Sequence, residues 1–180
     1  MTLKEIIVKR VSQAKFNQKD VDLEQLINLL DVAVYAPNHK MREPWRFVIL
    51  EGHGKEKFVK QYVNQFEDSN RNEQLTLISK VFSAPVVLAV IMPKTGHLRD
   101  DLEDLQANAA MVENLLLLLA ESDLSSFWKT PLYIASPIFR SVLGITPMEE
   151  ITGLIMIGYS DQPISLKPRQ CARSKTSIYS

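Results

Sequence analysis

The chain has 180 residues, of which 46% are hydrophobic and 23% are charged, and 21 Lys and Arg residues balance 21 Asp and Glu residues. A chain of this length forms one domain with a sizeable core. The zero net charge argues against a nucleic-acid-binding protein, which presents a basic face to phosphates. The single cysteine, Cys171, excludes a disulfide framework or a cysteine-based zinc site and favours a reducing, cytoplasmic compartment. No apolar run reaches the ~20 residues that span a bilayer.

The first half of the chain contains clear helix starts and stops. Thr2 and Glu5 have the spacing of a capping box, which predicts a first helix ending near Arg10. Asp22 caps a second helix, and Pro37 ends it because the residue before a proline leaves the helical region. The next predicted elements are a strand over 45–51 and mostly exposed helices over 55–66 and 73–80.

The second half contains the most apolar segments. The unbroken apolar run 85–92 predicts a strand that is buried on both faces. The longest predicted helix covers 102–121, and its mostly apolar sequence places it at the centre of the fold. Because helices and strands follow no regular βαβ order, we expect an α+β fold with a mixed central sheet flanked by helices. The remaining predicted elements are strands over 125–128 and 151–158 and a short helix over 137–143.

Glycine is scarce, with six residues in the chain. Loops that hold phosphate with bare backbone need clustered glycines, because a Cβ would block the close approach. Gly52 and Gly54 lack the third glycine of a dinucleotide fingerprint and are interpreted as a turn. Any nucleotide bound by this chain is therefore expected to be held by side chains.

Two basic segments could hold a phosphate. Arg10-Val11-Ser12, followed by Lys15, offers two cations and a hydroxyl, although cations at a helix end also simply complement the helix dipole. Residues 161–180 contain no acidic residue after Asp161 and include Lys167 and Arg169. We expect residues 1–180 to be a single domain whose basic tail packs on a second subunit, the alternative being a solvated terminus.

The loop over 35–47 joins a helix to a buried strand and is bounded by Pro37 and Pro44. It contains His39 and Lys40, and loops displayed from a rigid scaffold often carry function. A neutral, solvent-facing histidine is the alternative for His39. No second histidine lies at helical spacing, so a metal site is not expected.

Trp128-Lys129-Thr130 ends a predicted strand with a cation and a hydroxyl, which either face a ligand or only cap the strand. The sequence has no Gly-x-Ser-x-Gly nucleophile motif, and Cys171 has no neighbouring histidine. No catalytic side chain is evident. If the protein is an enzyme, we therefore expect a cofactor to supply the chemistry.

Taken together, these segments resemble motifs of the nitroreductase family of FMN-dependent NAD(P)H oxidoreductases, in particular its short single-domain bacterial branch. The resemblance extends over about residues 5–160. The most specific likeness is Ala36-Pro37-Asn38-His39-Lys40 followed by Glu43-Pro44-Trp45-Arg46-Phe47, and Ala107–Met111 is similar to the family's long helix. Tyr35 departs from the pattern, because close relatives often have an arginine there.

The resemblance implies a cofactor site and no catalytic side chain. The segment after the first helix would hold the phosphate and ribityl end of FMN, while the loop and the strand end would contact the flavin from two sides. Lys129 or Lys40 would offset negative charge on the reduced flavin. The implied cofactor-binding residues are Arg10, Val11, Ser12, Lys15, Tyr35, His39, Lys40, Trp128, Lys129, Thr130 and Arg169.

The family fold implies an intertwined homodimer with two FMN sites at its interface. The implied reaction is ping-pong, in which NADH or NADPH passes a hydride to flavin N5 and a nitroaromatic or quinone then accepts it. Another FMN reaction such as dehalogenation stays open. So do a flavin-binding protein without turnover, acting as a store, sensor or chaperone, and a small partner-binding domain without a cofactor.

Overall fold

The computed structural model describes residues 1–179, and a four-stranded sheet forms its centre. The strands are β1 (Arg46–Glu51), β2 (Val86–Pro93), β3 (Ser125–Lys129) and β4 (Glu149–Gly158). They lie in the order β1-β2-β4-β3, which leaves β1 and β3 at the two edges. Helices pack on both faces of this sheet.

Three of the six helices begin after a residue whose side chain accepts hydrogen bonds from their first N–H groups. Thr2 and Glu5 form the predicted capping box, and Asp22 accepts hydrogen bonds from two backbone N–H groups of the second helix. The helices are α1 (Leu3–Lys9), α2 (Leu23–Ala33), α3 (Gly52–Val63), α4 (Asp68–Phe82), α5 (Leu98–Glu121) and α6 (Pro137–Val142).

Three predicted helices begin earlier in the structure than expected, and α4 starts at Asp68, five residues before the expected Glu73. The segment from Gly52 to Gly54, expected to be the turn from strand to helix, is the first turn of α3 and follows β1 directly; Gly52 has a φ of 45°, a left-handed conformation that favours glycine. α5 starts at Leu98, four residues earlier than expected, because its first turn is charged and carries no apolar periodicity.

The core has two layers, separated by the sheet. Along β2, Val87, Ala89 and Ile91 face the layer formed with α3, α4 and α6, while the alternate side chains face α2 and α5. All seven residues from Val86 to Met92 are at most 3% exposed. The predicted burial of this strand on both faces is confirmed.

The α+β class and the central sheet flanked by helices are confirmed, but the strands do not form the expected mixed sheet. All three ladders between the named strands are antiparallel, and the parallel pairing among residues 1–179 is an isolated bridge between Ser12 and Ser126. Side-chain periodicity indicates which residues are buried, but it carries no information on the direction of a strand.

The chain leaves the sheet after β4, and residues 161–179 are exposed throughout. A single helical turn at Ala172–Lys175 is the regular structure of this segment. In the part of the chain that the structure describes, no helix combines the length and apolar character needed to cross a membrane.

Candidate functional site

The segment that follows α1 lies along the outer edge of β3. The N–H of Gln13 donates to the carbonyl of Ser126 at 3.0 Å, and the N–H of Asn17 donates to the carbonyl of Tyr159 at 2.8 Å. The side chain of Asn17 also donates to a carboxylate oxygen of Asp161 at 3.0 Å. These bonds fix the segment beside the start of the tail.

A cavity of about 330 Å³, here called the cationic cleft, lies between this segment and the tail. Three cations and two hydroxyls line it, and no carboxylate does. The tail thus lies beside the Arg10-Val11-Ser12 segment of the same chain. The lining residues are Arg10, Val11, Ser12, Gln13, Pro163, Ser165, Lys167 and Arg169.

The guanidinium of Arg10 lies near a carboxylate, but its Nε has no hydrogen-bond partner among residues 1–179. Its Nε lies 3.7 Å from Oε1 of Glu113 on α5, which is an ion-pair distance but too long for a hydrogen bond. Within residues 1–179 this buried Nε has no hydrogen-bond partner. Lys15 is exposed and is not among the residues that line the cationic cleft.

The loop residues that were predicted to contact the flavin lie away from the cationic cleft. His39 borders a groove along α5, where its Nε2 is 4.0 Å from Oε2 of Glu103. Tyr35 is 88% exposed at the end of α2, and Lys40 is exposed at the tip of the loop. Among residues 1–179, no hydrogen bond or ion pair joins these three residues to the cationic cleft.

Arg42 connects the loop to α5 through several hydrogen bonds. Its Nη2 and Nε donate to Oδ1 of Asp104 at 2.7 and 3.0 Å, and Nη2 also donates to the carbonyl of Asp100 at 3.1 Å. The side chain of Asp104 is 3% exposed. The hydrogen bond to Asp104 raises the pKa of the Arg42 guanidinium above its ordinary value.

The same loop has an unusual backbone. Lys40, Met41 and Glu43 have φ values of 55°, 51° and 48°, in the left-handed region that non-glycine residues seldom occupy. Oδ1 of Asn38 accepts a hydrogen bond from the N–H of Glu43 at 2.9 Å and closes the loop on itself.

A second side chain of α5 holds the end of this loop. Nδ2 of Asn108 donates to the carbonyl of Pro44 and, at 3.1 Å, to that of Asp104. Asn108 is 1% exposed, and its Oδ1 has no hydrogen-bond partner among the described residues. The loop is therefore attached to the buried face of α5 at two points.

The strand-end motif places its side chains on opposite faces of the sheet, because neighbouring strand residues alternate. The indole of Trp128 covers Gly153, where an added Cβ would lie 2.0 Å from Nε1. Nζ of Lys129 lies 4.7 Å from the centre of the Phe127 ring, on the other face. Thr130 borders a separate cavity at the end of β3. The three side chains do not converge on one surface.

The sequence interpretation did not assign the roles of Asp104 and Asn108. The carboxylate of Asp104 is buried against Arg42, although it stands in an acidic stretch of the helix. A signal was present: Asp104 and Asn108 share the helical spacing of the buried Met111 and Leu115. Polar residues on a buried helix face need partners, and the loop supplies them.

Three comparisons bear on this arrangement. A family model described as Nitroreductase family matches residues 7–159. The provisionally named NAD(P)H nitroreductase YfhC of Bacillus subtilis is 26% identical over 178 residues, covering 96% of this chain and 92% of YfhC. A solved nitroreductase-like family protein from Bacillus cereus has a TM-score of 0.91 and 32% identity, covering 99% of this chain and 96% of that one.

A solved oxidized iodotyrosine deiodinase, bound to FMN and 3-iodo-L-tyrosine, has a TM-score of 0.72. It is 23% identical, and the match covers 94% of this chain and 95% of that one. This likeness is one of fold.

Proposed function

The chain belongs to the nitroreductase family, and on that premise we propose that it is an FMN-dependent NAD(P)H oxidoreductase whose acceptors are nitroaromatics or quinones. The name of YfhC and the FMN bound by the deiodinase of the same fold support this reading. A cytoplasmic location belongs to the proposal, because the exposed thiol of Cys171 suits a reducing compartment.

The observation that carries the proposal is the composition of the cationic cleft. A phosphate ester with two negative charges needs several charge-assisted donors, which Arg10, Lys167 and Arg169 provide. The hydroxyls of Ser12 and Ser165 add neutral donors. Since no carboxylate lines the cleft, nothing in its lining repels the anion, and the donor set fits the phosphate of FMN.

A homodimer completes the proposed site. Glu113, which faces Arg10, is nine residues beyond Asp104, so the two lie about 14 Å apart along α5 and on opposite sides of it. We propose that one copy contributes the cationic cleft and its partner contributes the loop. The exposed apolar residues Ile164 and Leu166 of the tail would be covered in such an assembly. Light scattering that finds a monomer at micromolar concentration would contradict it.

When bound, FMN supplies the chemistry of hydride transfer. The chain's own residues bind and orient the cofactor and place positive charge beside it. Lys40 and Lys129 are the two cations proposed for that role. Lys129 is held over the Phe127 ring, and Lys40 makes no ion pair or hydrogen bond among residues 1–179.

The decisive experiment is a visible absorption spectrum of the purified protein before and after addition of FMN, followed by NADH and NADPH oxidation with a quinone. We expect a shifted flavin band and a saturable rate. A colourless protein that does not bind FMN would overturn the proposal and favour a partner-binding domain. Binding without a saturable rate would favour a flavin store, sensor or chaperone.

Reductive dehalogenation is a second candidate, favoured by the fold-level likeness to the deiodinase. Flavin-loaded protein that has been chemically reduced should then release iodide from 3-iodo-L-tyrosine. A nitroaromatic of similar size, tested side by side, distinguishes the two acceptors. Consumption of the nitroaromatic without iodide release would exclude this candidate.

A further inference from the structure

We propose that Arg42, Asp104 and Asn108 form a clasp that positions the loop over 38–44 for contact with the flavin. These three are positioning residues, since they act through the loop and not on the cofactor itself. The inference rests on the proposed function, which assigns flavin contacts to this loop.

The backbone of the loop over 38–44 adopts an intrinsically unfavourable conformation. Left-handed backbone at Lys40, Met41 and Glu43 is unfavourable for residues with a Cβ, and it persists only where the surroundings enforce it. Within the loop, the bonds from the N–H of Glu43 to Asn38 and from the N–H of Arg42 to the carbonyl of His39 are local constraints. The further constraints come from α5.

The clasp ties the loop to the buried core of the molecule. Asp104 and Asn108 lie on the buried face of α5, whose next turns place Met111 and Leu115 in the core at 0% exposure. The Arg42 guanidinium donates to the carboxylate of Asp104, and the side chain of Asn108 donates to the carbonyl of Pro44. The loop is thus positioned relative to the core and not by surface contacts.

The clasp also leaves Lys40, a cation of the loop, without an ionic partner among residues 1–179. α5 presents Asp100, Glu103 and Asp104 to the loop, and Arg42 lies within ion-pair distance of all three. Lys40 makes no ion pair among residues 1–179. Because Arg42 occupies the carboxylates, the ammonium of Lys40 stays available to a negatively charged ligand.

The test measures FMN affinity by flavin fluorescence in the full-length protein and in Arg42→Gln. We expect the dissociation constant to rise roughly tenfold, within the range for coupled residues. Arg42→Lys should not restore it, because one ammonium cannot reproduce the two-nitrogen contact with Asp104. The matched control is Arg71→Gln, which removes an exposed pair with Asp68 on α4 and should leave affinity unchanged.

A double-mutant cycle separates positioning from general destabilisation. In a protein that already carries His39→Ala and Lys40→Ala, the loop has no flavin contacts left to position. Arg42→Gln should then cause no further loss of affinity. An undiminished loss in that background, or full recovery of affinity in Arg42→Lys, would overturn the inference.

If Arg42→Gln does not fold, Arg42→Met combined with Asp104→Leu replaces both charges by apolar groups and leaves no buried charge unpaired. We expect this variant to fold and still to bind FMN weakly. Wild-type affinity in it would refute the clasp. A wild-type protein that fails to bind FMN overturns the proposed function, whereas binding that none of these substitutions alters overturns the clasp alone.

Discussion

Arg10 and Arg42 are the same residue type in two opposite environments. Arg42 has two bonds to a buried carboxylate and one to a carbonyl, so its donors are largely used. Arg10 has a single carboxylate, Glu113, beyond hydrogen-bonding distance, and it lines a cleft without acidic residues. The number of fixed acceptors around each guanidinium decides whether it holds the fold or is free for a ligand.

This difference leads to a general expectation for substitutions around the two arginines. Substitutions around Arg42 should change the stability of the protein together with its FMN affinity, whereas substitutions around Arg10 should change ligand affinity at nearly constant stability. Each prediction below either separates these two effects or contradicts the separation.

The largest effect is expected for Asp104→Ala. Removal of the buried carboxylate leaves the Arg42 guanidinium without its main partner; because Arg42 is a quarter exposed and keeps Asp100 nearby, we expect a loss of unfolding free energy on the order of a lost hydrogen-bonded charge, about 2 kcal/mol. Urea unfolding at neutral pH measures it. Glu103→Ala is the control, because Glu103 is 4.0 Å from Arg42 and more exposed, so it should cost below about 1 kcal/mol. Equal losses would contradict the special role of Asp104.

The second effect concerns the cationic cleft. Arg10→Gln removes charge-assisted donors, so the FMN dissociation constant should rise roughly tenfold to a hundredfold, while the thermal midpoint stays nearly constant. Titration with riboflavin, which lacks the phosphate, should give the same affinity for wild type and variant. Arg99→Gln is the control, since this arginine is 89% exposed and outside the cleft. A parallel loss of riboflavin binding would mean that Arg10 does not act on the phosphate.

The fold could be predicted from the sequence where the apolar residues follow one clear spacing along the chain. The buried run of β2 and the apolar face of α5 give clear signals, because burial on two faces or one face leaves a distinct pattern. Strand direction could not be predicted, since all ladders depend on contacts between distant segments.

The candidate site was predictable in part. Arg10 and Ser12 form a local motif, and the structure places them with Arg169 in one cleft. The clasp was not identified, because Arg42 and Asp104 are 62 residues apart and each has an ordinary surface interpretation when taken alone. Trp128 and Lys129 were assigned to one surface, although strand geometry separates their side chains.

A smaller effect is expected in the tail. Lys167→Gln and Arg169→Gln remove one exposed charge each from the cleft, so each should raise the FMN dissociation constant a few-fold, on the order of an exposed charge pair. The same variants should weaken the dependence of binding on salt concentration. Lys175→Gln, in the same tail but outside the cleft lining, is the control. If all three lysine and arginine substitutions act alike, the tail attracts FMN only by its overall charge.

The smallest effect concerns a third arginine, Arg46, which is itself exposed and pairs with the partly buried carboxylate of Glu149. The hydrogen bond from Arg46 to Glu149 at 2.7 Å, with further bonds from Thr146, lowers the pKa of Glu149 from 4.5 to about 2. Because the folded-state pKa lies below the ordinary value, the ionised carboxylate stabilises the fold above about pH 4.5. That contribution is lost as the pH falls toward 2.

Glu149→Gln should therefore reduce the unfolding free energy by less than about 1 kcal/mol at neutral pH, since Arg46 is 44% exposed and the pair is screened by solvent. Urea unfolding of both proteins at several pH values measures the difference, which should shrink between pH 4.5 and 2. FMN affinity should not change, because neither residue lines the cationic cleft or lies in the loop over 38–44. A difference that persists at low pH would mean that the amide disturbs packing, and that the charge of Glu149 contributes little to the fold.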